Sequence, residues 1–209
     1  MTLIYLARHG ETEWNADRRI QGFSDSALND LGRRQALALA ERLRTSSISG
    51  IYSSDLSRAM ATAAPTANFL DLKVNPMSEL RERGYGEWEG KTINEVAGLY
   101  PDLWHRYHTL KDISSPIPGG EEWTAVYKRV VSAVETVLHK HPGDKDEVLI
   151  VGHGGSLRIA VLHALGAPLS MITRLKLDNA SLCCVEYKGA ASGRVSFMND
   201  TCHLDGVSL

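Results

Sequence analysis

The chain is short of cysteine, of net charge and of long apolar runs, and each shortage removes a class of answers. Its 209 residues hold three cysteines, Cys183, Cys184 and Cys202. An odd count, with two neighbours that would alternate across a strand, argues against a disulfide framework. Cys183 and Cys184 lie in an apolar stretch without metal-type spacing, so both are expected as small core residues. The formal net charge is −2, which leaves no global attraction to nucleic acid or to an anionic membrane; anion binding has to come from local clusters. The apolar start is broken by Arg8, and no other run approaches membrane-spanning length, so a soluble, cytoplasmic protein is expected. There are no internal repeats and no low-complexity tracts. With 43% hydrophobic residues the chain can bury one sizeable core, as a single domain over residues 1–209 with an insert at about 84–120.

What is present starts at residue 2. Residues 2–7 are short, apolar and β-favouring, and deliver Arg8-His9-Gly10-Glu11-Thr12 to a strand's carboxyl end, where open α/β sheets bind ligands. Residues 9–28 read as a long polar loop. A helix follows from Asn29 or Asp30, with Leu31, Ala36, Leu39, Ala40 and Leu43 on one stripe. Residues 48–52 read as a strand, and Ser53-Ser54-Asp55 as N-cap candidates for a helix with Arg58 in its first turn. Residues 72–74 and 77–80 look like short strands or connections. Helical pieces around 93–99 and 101–107 and a proline-glycine breaker at 114–120 form the insert over the sheet edge. A longer helix carries Trp123, Val126, Val130, Val134 and Val137 on one face, and ends at Pro142-Gly143. Residues 147–151 are a fully apolar strand leading into Gly152-His153-Gly154-Gly155-Ser156 and another helix. Residues 181–187 and 195–199 read as a hairpin turning through 189–193.

Two strand ends and a helix start thus carry Arg8-His9, His153 and Arg58. A phosphomonoester dianion needs fixed cations, which guanidinium forks supply without deprotonating. Helix N-termini at Ser53 to Arg58 and at Gly154 add backbone donors, and Asn15 and Gln21, with Gly22 beside it, add neutral ones from the first loop. Histidine attacks phosphorus only as the neutral imidazole, one ring nitrogen keeping its proton in a local hydrogen bond. His9 fills that role, and His153 is expected as a protonated donor to the equatorial oxygens. The leaving alkoxide needs a proton from a carboxylic acid held protonated near neutrality, and Glu79, Glu82, Glu87 and Glu89 are all candidates.

Four runs in this order, Arg8-His9-Gly10-x-Thr12-x-x-Asn15, Tyr52-Ser53-Ser54-x-x-x-Arg58-Ala59, Leu80-x-Glu82 with Gly86-x-Trp88-Glu89-Gly90, and Gly152-His153-Gly154-Gly155, resemble the histidine phosphatase (phosphoglycerate mutase-like) superfamily. The resemblance implies a three-layer α/β/α sandwich with a mostly parallel sheet and a helical insert over the active site. It implies a phosphohistidine on His9, a phosphate pocket of Arg8, Arg58 and His153 lined by Asn15 and Gln21, and Glu82 as proton donor. Neither a cofactor nor a metal site is expected. His105, His108, His139, His141 and His163 share no ligand pattern and read as surface or packing residues. Trp88, Trp104 and Trp123 read as packing residues that can also line the substrate mouth. His203 resembles a tail residue of some phosphatase members and is a candidate to fold back on the pocket.

Mutases of the superfamily are similar at the pocket but carry extra basic residues in the insert. Between Gly84 and Gly120 only Lys91, Arg106 and Lys111 are cationic, so a phosphatase resembling the broad-specificity and α-ribazole-phosphate branch is the expectation. Its partner is a small phosphomonoester, not nucleic acid or membrane, with a homodimer left open. Mutase-type transfer and a non-catalytic phosphate-binding module are the alternatives.

Overall fold

The computed structural model describes residues 1–143, 146–188 and 193–207. Thr2–Arg8 forms β1 and Glu13–Ala16 forms α1. Asp30–Leu43 is α2, Ile48–Ser54 is β2, Ser57–Leu70 is α3 and Val74–Met77 is β3. Two short helices, α4 at Ile93–Leu99 and α5 at Pro101–Trp104, precede the long α6 at Trp123–Lys140. Glu147–Gly152 is β4, Gly154–Ala164 is α7, and Leu182–Tyr187 and Gly193–Asp200 are β5 and β6.

The strands form one sheet in the order β3-β2-β4-β1-β5-β6. β1, β2, β3 and β4 run parallel, and β5 is antiparallel to both β1 and β6. Successive side chains of a strand face opposite ways, and the core divides accordingly. Ile4, Leu6, Val148 and Ile150 pack with α6 and α7, through Val126, Val130, Val134, Leu157 and Val161. Ala7, Ile51, Leu149 and Val151 pack with α2 and α3, through Leu39, Leu43, Ala59 and Ala63. Both faces are covered, which is why residues 148–151 are apolar without alternation. The same double cover buries Cys183 and Cys184 on β5, while Cys202 is exposed. The expected three-layer, mostly parallel α/β architecture is therefore the observed one.

Local chemistry accounts for the differences. The polar stretch after β1 is not all loop: Thr12 and Asn15 form a reciprocal capping box that starts α1. Bridges from Thr12 to Leu28 and from Arg19 to Thr92 tie the stretch down. Ser53, Ser54 and Asp55 do not cap α3. The carboxylate of Asp25, from the first loop, accepts the Ser57 N–H at 2.6 Å, while Asp55 is taken by Arg81 through bonds of 2.7 and 2.5 Å. Where short strands or connections were expected over 72–74 and 77–80, one strand, β3, leads into a 3-10 turn at Ser78–Leu80. β5 and β6 pair as expected; the turn between them lies outside the described residues.

Residues 84–120 gather around their own small cluster. Trp88, Val96 and Ile117 are buried in it, with Ile20, Tyr85, Tyr100, Leu103, Trp104 and Tyr107 against them. Beyond Trp104 the backbone loosens into one π-helical stretch, His105–Thr109. Among the described residues no helix is long and apolar enough to cross a membrane.

Candidate active site

Three neighbouring strands end side by side. β2 delivers Ser54, β4 delivers His153 and β1 delivers Arg8 and His9, and the ladder continues one residue further as the His9 N–H donates to Gly152 O at 2.9 Å. Paired strands lie about 4.8 Å apart, so residues that follow them meet. The His9 and His153 rings have centroids 5.1 Å apart.

His9 is buried, and its Nδ1 is 2.7 Å from Gly10 O. A carbonyl only accepts, so Nδ1 carries the proton and Nε2 is the ring's basic nitrogen. Burial, then the charges of Arg8 and Arg58, hold this histidine well below its ordinary pKa. The ring is thus neutral at neutral pH. Its carbonyl accepts from Ala180 N and Asn179 Nδ2, each at 3.1 Å. Asn179 also donates to Asn15 Oδ1 at 3.1 Å. Thr12 donates to that same oxygen through its N–H and hydroxyl, so Asn15 keeps its NH₂ for the pocket.

His153 is fully buried, and the structure revises its expected charge. Its Nδ1 accepts from Arg58 Nε at 3.3 Å, and its Nε2 lies 2.8 Å from Ser54 Oγ. With Nδ1 facing a guanidinium N–H, the proton sits on Nε2 and the ring is neutral. Burial, Arg58, His9 and Arg8 all push its pKa well down. A dianion placed between the two rings would oppose the arginine charges and favour a proton on the imidazole.

Arg58 also departs from its expected role as a free fork. Besides His153 it donates to Ser24 O, Asp25 Oδ1 and Gly22 O, at 2.9, 3.1 and 2.7 Å. One of its five N–H groups is left. Gly22 O is aimed at Arg58 because Gly22 adopts φ +60°, a conformation that is costly for residues with a Cβ. Arg8 is the more open cation: Nη1 donates to Leu177 O at 2.7 Å, and its buried Nε has no partner among the described residues. The same holds for Gln21 Oε1.

The geometry separates the four acidic candidates. Glu82 alone of them lines the cavity that His9, His153, Arg8 and Arg58 share. Its oxygens accept from Arg83 N and from Gly155 N, each at 2.9 Å. The second donor belongs to the first turn of α7, where the helix end favours an anion. Neither flanking arginine pairs with it. Arg81 binds Asp55, and Arg83 turns into the insert among Tyr85, Tyr107 and Trp123, 5.0 Å from the Trp123 ring centroid. Glu89 is a brace: its carboxylate accepts from Phe23 N, Ser24 N, Ser24 Oγ and Tyr85 N. Glu87 accepts from Tyr100 OH at 2.6 Å, and Glu79 is exposed.

The cavity, about 240 Å³, brings together Arg8, His9, Asn15, Gln21, Gly22, Arg58, Glu82 and His153. Gly154 is not in its lining, but a methyl group there would lie 3.7 Å from Arg8 Nε and 3.9 Å from Glu82 Oε2, so it borders both. The outer wall is apolar and aromatic, built by Ile20, Tyr85, Trp88, Ile93, Trp104 and Tyr107, with Arg19 at the rim. Trp88 and Trp104 thus line the mouth; Trp123 does not. His203 reaches Ala180 O at 2.9 Å, so it packs behind the His9 backbone and is not part of the cavity lining. His141 bonds Tyr52 OH at 3.0 Å and His108 stacks on Trp104, in keeping with packing roles. Among the described residues no cluster of three or more metal-ligating side chains occurs.

Asp25, Asn179, Arg83, Glu121 and Arg129 were missed as site supports. Most of their contacts cross long separations, such as the 164 residues between Asn179 and Asn15, and no local pattern marks them.

A probable phosphoglycerate mutase, GpmB, from Yersinia pestis (strain Pestoides F) is 38% identical, over 100% of this chain and 98% of its own length. The solved structure of YhfR from Bacillus stearothermophilus superposes with a TM-score of 0.90 at 32% identity, covering 98% of this chain and 100% of that one. A mycobacterial glucosyl-3-phosphoglycerate phosphatase superposes with a TM-score of 0.86 at 29% identity, covering 95% and 99%. The family model described as histidine phosphatase superfamily (branch 1) matches residues 4–201, and the chain belongs to that superfamily.

Proposed function

We propose that the protein is a phosphomonoesterase that hydrolyses small phosphate esters through a phosphohistidine on His9, with Glu82 as proton donor. The observation that carries this reading is the meeting, in one cavity, of His9, whose Nδ1 proton is fixed on Gly10 O, with Glu82, whose two carboxyl oxygens are held in place by backbone N–H groups.

Arg8, the remaining Arg58 N–H, the Asn15 amide and His153 receive the phosphoryl oxygens. His9 Nε2 attacks phosphorus as the P–O bond to the leaving group breaks, and Glu82, which enters this step in its carboxylic acid form, gives that oxygen its proton. The charge arriving with the phosphate favours a proton on His153, which then donates to an equatorial oxygen. In the second half, Glu82 takes a proton from water, the hydroxide attacks phosphorus, the P–N bond breaks, and inorganic phosphate leaves with His9 neutral again.

Hydrolysis is preferred over mutase transfer because the wall facing the leaving group is aromatic, with Arg19 its one cation, and Arg19 is engaged by Gly90 O at 2.9 Å. A mutase must hold an acidic, doubly charged substrate in two orientations. The alternative of phosphoglycerate mutase-type transfer rests on the 38% identity to a probable mutase.

The test is turnover of an aryl phosphate with and without chelator, beside interconversion of 3- and 2-phosphoglycerate with a bisphosphate primer. Chelator-insensitive hydrolysis that His9→Ala lowers by on the order of 10⁴-fold or more is expected. Full hydrolysis by His9→Ala would remove the nucleophile from this scheme. Efficient primer-dependent interconversion would establish the mutase, and no turnover in either assay a binding module.

A further inference from the structure

Glu82 stands on no regular element. It follows the 3-10 turn at Ser78–Leu80, in a segment whose carbonyls have no ladder to join, and yet a proton donor has to hold its place to within a fraction of an ångström. The segment is held instead by one side chain of the opposite layer. Arg129, in the second turn of α6, donates from Nη1 to Glu79 O at 2.9 Å and to Arg81 O at 2.6 Å, and from Nη2 to Glu82 O at 2.8 Å. Its other two N–H groups go to Glu121, from Nε to Oε1 at 3.1 Å and from Nη2 to Oε2 at 2.8 Å. All five guanidinium protons are thereby engaged, three of them on the backbone that carries Glu82.

Glu121 closes the far side of the same segment. Its Oε2 accepts from Gly84 N at 2.8 Å, its N–H donates to Gly84 O at 2.8 Å, and its carbonyl accepts from Arg83 Nε at 2.7 Å. The Arg83 N–H, fixed by these contacts, is one of the two donors to the Glu82 carboxylate. Carbonyls need a donor when water is kept away, but any small polar group would satisfy that need. A planar fork that takes three carbonyls of a four-residue stretch also fixes their relative orientation.

We propose that Arg129 and Glu121 are positioning residues for the proton donor: the pair clamps residues 79–84 so that the Glu82 carboxyl meets the leaving oxygen. This rests on Glu82 being the donor, as proposed above.

A misplaced proton donor costs most when the leaving group is a poor one, whereas general loosening of the fold lowers all substrates alike. The experiment is kcat/KM, which reports the steps through phosphoryl transfer to His9, over a series of phenyl and alkyl phosphates spanning leaving groups from good to poor. It is run for the wild type and for Glu82→Gln, Arg129→Lys, Arg129→Met and Glu121→Gln, with thermal midpoints measured alongside. For Arg129→Met a loss of about 10- to 100-fold on the poorest leaving groups is expected, and less than about threefold on dinitrophenyl phosphate, in the direction of Glu82→Gln but shallower. Arg129→Lys, which keeps the charge and loses the fork, should fall between Arg129→Met and wild type. Equal losses across the series in the folded variants, or no loss, overturn the clamp, and so does full rescue by lysine. If Arg129→Met does not fold, Arg129→Lys and Glu121→Gln decide by the same slope. A flat Glu82→Gln series would instead overturn the donor assignment itself.

Discussion

His9 and His153 face each other across the cavity with ring centroids 5.1 Å apart and planes inclined at 59°, because they follow paired strands β1 and β4. Two imidazoles this close, between Arg8 and Arg58, stay neutral together: a proton on either is opposed by burial and by those charges. That relationship governs the response of the site to pH.

Activity should survive into acid. The neutral form of His9 persists as pH falls through about 6.5, where an ordinary histidine would protonate. The acid limb of kcat/KM assigned to the nucleophile therefore lies below that value, after allowance for the substrate phosphate's own ionisation near pH 6. A profile over about pH 4–8 checks this, and an acid limb at the ordinary histidine value would count against the neutral His9.

Stability should move the opposite way. His9, His153 and His203 are all depressed, chiefly by burial. Below about pH 6.5 their unfolded forms bind protons that the folded forms do not, so stability falls with pH from there down to each folded value. The slope is about 1.4 kcal/mol per histidine per pH unit within that window. The lowered carboxylates Asp55, Asp178 and Asp200 act in the same direction, but only below about pH 4. Urea midpoints that stay level between pH 7.5 and 5 would contradict the histidine contribution.

Glu89→Gln should loosen the first loop around Gly22 to Ser24. The carboxylate accepts four hydrogen bonds from Phe23, Ser24 and Tyr85, and an amide cannot accept all four while its NH₂ faces donors. A loss of roughly 2–4 kcal/mol of stability is expected, with KM raised more than kcat is lowered, since Gly22 and Ser24 in that loop hold Arg58. Thermal unfolding and steady-state kinetics measure both; an unchanged midpoint would show the brace to be dispensable.

Gly155→Ala should disarm Glu82 without touching His9. A methyl group there would overlap Glu82 Oε1 and come within 2.9 Å of Trp123 Cη2, so the carboxylate has to leave the helix N-terminus. A displacement of about 1 Å is expected to lower kcat on the order of 10- to 100-fold on poor leaving groups. If kcat is unaltered on such substrates, the position of Glu82 against α7 is irrelevant to turnover.

The sequence by itself determined the candidate site's strand-end residues and the layers. Arg8, His9 and His153 sit at or just after apolar runs, Arg58 stands in the first turn of the helix after another strand, and a strand end is set by a handful of neighbours. The double-sided cover of the sheet was legible in the uninterrupted residues 148–151 for the same reason. The choice of Glu82 over Glu79, Glu87 and Glu89 could be carried in only by resemblance, because all four stand in similar local surroundings. Tertiary structure distinguishes them: Glu89 faces the first loop, Glu87 faces Tyr100, and Glu82 meets the amide of Gly155, 73 residues away. It also decided that Asp25, not Ser53 to Asp55, caps α3, and that Arg58 commits most of its N–H groups to a loop before any phosphate arrives. Hydrogen bonds between distant segments depend on how the layers close over one another, and no window of local sequence records that closure.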